Sequence, residues 1–123
     1  MEFRSRRLIK YEDLNPRETL FGGKVLLWID EEATIYVRCQ LGTDQIVTKC
    51  MSEINFVSPG HLGDVIEIGV DLVEFGTTSI TVKCEVRNKT TKQTIISIEK
   101  IVFVCVDKNG KPLPHGIRKK SVN

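Results

Sequence analysis

Asn15-Pro16-Arg17-Glu18-Thr19-Leu20-Phe21-Gly22-Gly23 runs straight into an apolar segment that carries Asp30. Two glycines at the start of a helix leave backbone N–H groups without intrahelical partners, and such groups can hold a carbonyl oxygen as it gains negative charge. A carboxylate on an otherwise apolar surface can activate water against that carbonyl. An amide side chain, Asn15, stands just upstream. Together these are the parts of an acyl-transfer site. Each also has a plainer reading: Gly22-Gly23 as a tight helix entry, Asp30 as a solvated helix acid, Asn15 as a turn residue.

The elements that would position them follow from periodicity. Residues 3–10 read as an edge strand, with Phe3 beside Arg4, Arg6 and Arg7. A polar loop containing Asn15-Pro16 follows, where proline disfavours helix in the residue before it. From about Gly22 to Gln40 the period is helical: Leu26, Ile29, Ala33, Tyr36 and Val37 recur at three- and four-residue spacing. Val25, Leu27 and Trp28 make the first turns apolar on nearly every side, which implies burial all round. Gly42 is the stop signal.

Beyond the helix the period becomes two. Ile46–Val57, Val65–Glu74, Ser79–Arg87 and Gln93–Val106 are the strand candidates, parted by turns at Ser58-Pro59-Gly60, Phe75-Gly76 and Lys108-Asn109-Gly110. Ile101–Val106 is apolar on both faces, as a central strand would be. Short connections favour antiparallel neighbours. One strand, one very apolar helix and four strands thus predict an α+β domain whose sheet wraps the helix.

The 123 residues make one domain, 41% hydrophobic and 28% charged, ordinary for a globular protein. A formal net charge of +2 does not argue for nucleic acid. Basic residues gather at both ends, Arg4, Arg6, Arg7 and Lys10 in front and Arg118, Lys119 and Lys120 behind; the latter suggest a basic tail over 115–123 after a domain of 1–114. Cys39, Cys50, Cys84 and Cys105 form no CxxC pair, and with only His61 and His115 the spacing of a zinc site is missing. No signal peptide or membrane-length apolar run is present. The expectation is a cytoplasmic, reduced protein with no metal and no membrane association.

At this point the residues resemble the hot-dog-fold acyl-CoA thioesterases, specifically the acyl-CoA hydrolase branch. The matching series is Asn15, Leu20-Phe21-Gly22-Gly23 and Trp28-Ile29-Asp30, then Ile46-Val47-Thr48, Ile54-Asn55-Phe56, Pro59, Gly63-Asp64-Val65, Gly76 and Thr78-Ser79-Ile80, closing with Phe103-Val104, Val106-Asp107 and Gly110-Lys111-Pro112. It departs from the family at Glu18, where glycine is usual. The resemblance implies a hot-dog fold, a five-stranded antiparallel sheet around one long central helix, in protomers joined edge to edge. It also implies hydrolysis of acyl-CoA to a free acid and CoA, with no cofactor beyond the CoA carried by the substrate. By position, Gly22 with Phe21 would supply oxyanion N–H groups, Asp30 the base or nucleophile, and Asn15 and Thr48 polar help. Gly23, Thr78 and Ser79 would face the CoA part, although Thr78-Ser79 could equally close a strand turn.

Spacing adds a constraint. Asp30 lies eight residues beyond Gly22, about 12 Å along a helix, too far for one carbonyl to meet both. Two helices set antiparallel by a two-fold axis would instead bring Gly22 of one chain beside Asp30 of the other. The expectation is an obligate homodimer with two composite sites; the resemblance implies a trimer of dimers, with a dimer of dimers as the alternative. The competing readings are a non-catalytic acyl-CoA sensor, a hydratase or dehydratase of the same fold, and a degenerate scaffold. The dehydratase needs a histidine near its acid, and none precedes His61.

Overall fold

The computed structural model describes residues 1–117; Arg118, Lys119 and Lys120, assigned above to a basic tail, lie outside the described residues. Six elements carry the architecture: β1 (Phe3–Leu8), α1 (Gly22–Leu41), β2 (Ile46–Phe56), β3 (Val65–Phe75), β4 (Ser79–Asn88) and β5 (Thr94–Cys105). A single 3-10 turn spans Tyr11–Asp13. The five strands form one antiparallel sheet in the order β1-β3-β4-β5-β2. The expected element order is therefore met, and β5, apolar on both faces, is an interior strand.

Val25, Trp28, Ile29, Ala33 and Val37 turn one face of α1 into the core, where they join Ile66, Ile68, Val82, Val86, Ile98 and Phe103 from the sheet. Burial of such side chains, worth about 1.5–3 kcal/mol each, is what holds a helix of mixed propensity in place. The other face differs from expectation. Leu27 is 51% and Ile35 55% exposed, so the helix is not buried all round. Five strands cover one side of a helix; the outward stripe in a single protomer has nothing to cover it.

Helix α1 stops at Gly42, whose left-handed backbone (φ 68°) lets its N–H reach the Arg38 carbonyl at 2.8 Å, the usual glycine C-terminal closure. Its start is less usual. The N-cap is Phe21 and no side chain caps the first turn, where serine, threonine, aspartate or asparagine would stabilise by about 1 kcal/mol.

Strand β2 departs from simple alternation. Its pairing with β5 shifts between Thr48 and Cys50, an irregularity that puts Thr48 opposite buried Phe103 and Met51 opposite buried Ile101. Ile46, Thr48, Met51 and Ile54 thereby share the helix-facing side, a set that period two cannot produce.

Candidate active site

The entry to α1 is built by the loop before it. The Asn15 Oδ1 accepts the backbone N–H groups of Arg17 (2.9 Å) and Thr19 (3.1 Å), and its Nδ2 donates to the Thr19 hydroxyl at 3.0 Å. These bonds close a tight turn in which Glu18 adopts φ 64°. That left-handed conformation is one that glycine adopts without cost; this chain accepts the strain. Leu20 then donates to the Gly60 carbonyl at 2.8 Å. A Cβ on Gly60 would stand 2.8 Å from Ile9 Cδ1, so only glycine allows the Pro59-Gly60 turn to close on this strand.

Phe21 donates its N–H to the carbonyl of Asp13 at 2.9 Å. The Phe21 amide is thus already bonded, and the expected pairing of Phe21 with Gly22 as donors narrows to its neighbours. Lys24 and Val25 both turn back to the Phe21 carbonyl. Gly22 and Gly23, the first two helical residues, have no acceptor among the described residues, as an uncapped helix start requires. A Cβ on Gly22 would lie 3.2 Å from Phe56 Cε1, and one on Gly23 3.3 Å from Phe21 Cε2. The helix start thus has an aromatic ring close to each of its two glycines.

Sequence reasoning passed over Asp13. It is buried, accepts the Lys10 N–H at 2.8 Å, and meets Lys24 Nζ at 3.4 Å. Nothing in its polar neighbourhood in the sequence distinguishes it; only the fold shows that this acid and its carbonyl anchor the helix entry. Arg7 supports the same helix further on, with Nη2 3.0 Å from Glu32, 3.5 Å from Glu31 and its guanidinium over Trp28. The two acids that follow Asp30 are thereby neutralised from β1.

Asp30 faces β2, and the Thr48 hydroxyl donates to its Oδ1 at 2.8 Å. One carboxylate oxygen is held and the other is left to act. Thr48 is exposed and Asp30 half-buried in the protomer, so this pair opens on solvent. Thr78 lies in the bend before β4 and Ser79 begins it, at the same end of the sheet, since Val47 pairs with Val104 and Val104 with Ser79. Their carbonyls accept the N–H groups of Cys105 (2.7 Å) and Gly76 (2.8 Å). His115 Nδ1 accepts the Ile117 N–H, and its Nε2 meets the Ser79 carbonyl at 3.0 Å. The backbone of this pair therefore closes turns, one of the two roles expected.

Within one chain, then, two groups form. Asn15, Phe21, Gly22 and Gly23 gather at the helix start; Asp30 and Thr48 lie eight residues along the same unbroken helix, about 12 Å away.

Known proteins resemble this chain in sequence and fold. Residues 18–95 match the sequence profile of the Thioesterase superfamily. A Bacillus subtilis protein named as an acyl-CoA thioester hydrolase is 32% identical over 107 residues, which is 83% of this chain; the chain spans 60% of that relative's length. The hexameric thioesterase of Yersinia pestis superposes with a TM-score of 0.83 at 26% identity, covering 92% of this chain and 93% of the other. The acyl-CoA hydrolase of Staphylococcus aureus, solved with butyryl coenzyme A and coenzyme A, gives a TM-score of 0.80 at 28% identity over 89% of this chain and 66% of the other. It has also been solved with alanine replacing, singly, an asparagine, an aspartate and a threonine.

Proposed function

Because the chain belongs to the thioesterase superfamily, we propose that it hydrolyses the thioester of acyl-CoA, releasing a carboxylic acid and CoA, at a site shared by two protomers. The observations that carry this reading are an uncapped Gly22 amide and, further along the same helix, an Asp30 carboxylate whose Oδ1 is fixed by Thr48. The alanine-substituted residues of the Staphylococcus aureus enzyme are of the same three types as Asn15, Asp30 and Thr48, and its asparagine and aspartate stand fifteen apart, as Asn15 and Asp30 do here.

The thioester carbonyl oxygen sits on the Gly22 N–H of one protomer. The free oxygen of Asp30 from the other takes a proton from water as that water's oxygen bonds to the carbonyl carbon. The charge that develops on the carbonyl oxygen is met by an amide already aimed at it, worth about 3–4 kcal/mol for one donor. Collapse of the tetrahedral intermediate breaks the C–S bond, and the proton passes to sulfur. Asn15 shapes the loop that presents Gly22, and its second Nδ2 hydrogen is available to substrate. Gly23 and the hydroxyls of Thr78 and Ser79 contact the CoA portion.

The two-protomer arrangement follows from length. The protomers pair along the free edge of β2 with their helices antiparallel, covering Thr48 and the outward face of α1, and three such pairs complete the assembly. Thiol release from acyl-CoA esters, followed with a thiol reagent, tests the activity: release by wild type and its loss in Asp30→Asn is expected, whereas tight binding without release would make the protein a sensor. Mixing Gly22→Pro with Asp30→Ala chains tests the shared site. Subunit exchange should rebuild one intact site from two inactive parents, and no recovery would refute it.

A further inference from the structure

We infer that the rings of Phe56 and Phe21 form the wall against which the acyl chain lies, so that Phe56 determines which acyl groups are hydrolysed. This rests on the thioesterase reading above and adds which side of the helix start the acyl group takes. Four observations carry it. The ring of Phe56 lies 3.2 Å from where a Cβ on Gly22 would stand, and the ring of Phe21 lies 3.3 Å from the same point at Gly23. Both rings are largely uncovered in the single protomer, at 62% and 54% exposure. The Gly22 and Gly23 amides have no partner among the described residues. And Phe56, at the end of β2, pairs with Ile96, a fully buried residue, so its backbone is held by the sheet although its ring is not covered.

A carbonyl oxygen on the Gly22 N–H places its carbon within reach of these rings. That carbon bears two substituents, the sulfur arm of CoA and the acyl chain. The CoA arm is a succession of amides ending in phosphates, which need polar partners and lose them against a phenyl ring. The acyl chain is hydrocarbon and gains by the same contact. Each methylene removed from water contributes about 0.8 kcal/mol, or about fourfold in affinity. A wall of this kind therefore produces a rise in kcat/KM with chain length, expressed in KM because the contact is made equally in ground and transition states.

The experiment is a chain-length series, acetyl- to octanoyl-CoA, with wild type, Phe56→Ala, Phe56→Leu and Phe21→Ala, each checked by thermal melting. In wild type kcat/KM should climb about fourfold per methylene over the short chains. In Phe56→Ala the climb should flatten, the loss growing from about twofold with acetyl to more than tenfold with hexanoyl-CoA, in KM rather than kcat. Phe56→Leu should keep most of the slope. Phe21→Ala should flatten it in part, and this carries the test should Phe56→Ala not fold. Loss by one common factor at every length, or no loss, overturns the inference while leaving the hydrolase reading intact. A wild type inert toward every ester in the series removes both.

Discussion

Replacing Gly22 with proline removes the amide hydrogen from the candidate site, puts the ring Cδ in its place and leaves the helix start intact. Gly22 is the first residue of α1, and its N–H has no partner to lose; proline is favoured at that position because its fixed φ suits the helix. Phe21 before it already has φ −68° and ψ 129°, the conformation that a residue preceding proline prefers. The new Cβ would meet Phe56 Cε1 at 3.2 Å, a contact that a largely exposed ring relieves by moving a few tenths of an ångström. Restricting the unfolded chain adds about 0.4–1 kcal/mol to stability, so the melting temperature should hold or rise. Catalysis should not hold. Loss of one oxyanion donor costs about 3–4 kcal/mol, a fall of 10²–10³ in kcat, and the proline Cδ, standing where the carbonyl oxygen would sit, should raise KM as well. Gly22→Ala keeps the N–H and should retain most of the rate, which separates the missing hydrogen from the added carbon. A folded Gly22→Pro enzyme with more than a tenth of wild-type kcat would show that the oxyanion is held elsewhere.

Thr48→Val removes the hydroxyl 2.8 Å from Asp30 and keeps its shape; a hydrogen bond to a charged group is worth about 1.5–3 kcal/mol, so kcat should fall about ten- to a hundredfold with the melting temperature unchanged. Glu18→Gly relieves a left-handed residue at φ 64° and should add about 1 kcal/mol, raising the melting temperature by a few degrees. Burial pushes the Glu67 carboxyl up, but hydrogen bonds from Arg87 and Lys92 outweigh it and hold it below the ordinary glutamate range. The stability this gives is complete above the unfolded-state value and lost as pH falls through the lowered folded one; urea titrations should find Glu67→Gln weaker than wild type at neutral pH, the gap closing in acid. Burial, with Glu32 and Glu85 nearby, pushes the Cys84 thiol up to about 12, so at pH 8 a thiol reagent should label the exposed Cys39 and Cys50 and reach Cys84 only on unfolding.

Much of this arrangement could be read from the chain before any coordinates. All five strands and the helix lie within two residues of where periodicity put them, because long alternating or three-four patterns commit whole elements at once. What failed did so for local reasons. The first turns of α1 read as buried all round because Leu27 is apolar beside Val25 and Trp28, and sequence does not say whether a sheet or a second subunit covers it. The partner of Asp30 could be named through family likeness but not through strand pattern. The ladder shifts just after Thr48, and a one-residue shift exchanges the two faces of a strand, so Thr48 and Met51 face the helix together although they are three apart. The bond from Phe21 to Asp13 was invisible because it joins two loop residues whose backbones meet only through the fold.

The strand order has a consequence for synthesis on the ribosome. Every residue from Asn15 to Thr48 assigned to hydrolysis belongs to the half of the chain made first, while β3, β4 and β5, which supply much of the surface its helix packs on, are made last. Until Cys105 has left the exit tunnel, Val25, Trp28, Ile29, Ala33 and Val37 lack much of the cover they have in the finished core. The emerging polypeptide thus carries a bare greasy helix for more than half its translation, the stage at which chaperones hold such segments, and its cover is complete only when the final hairpin closes over it.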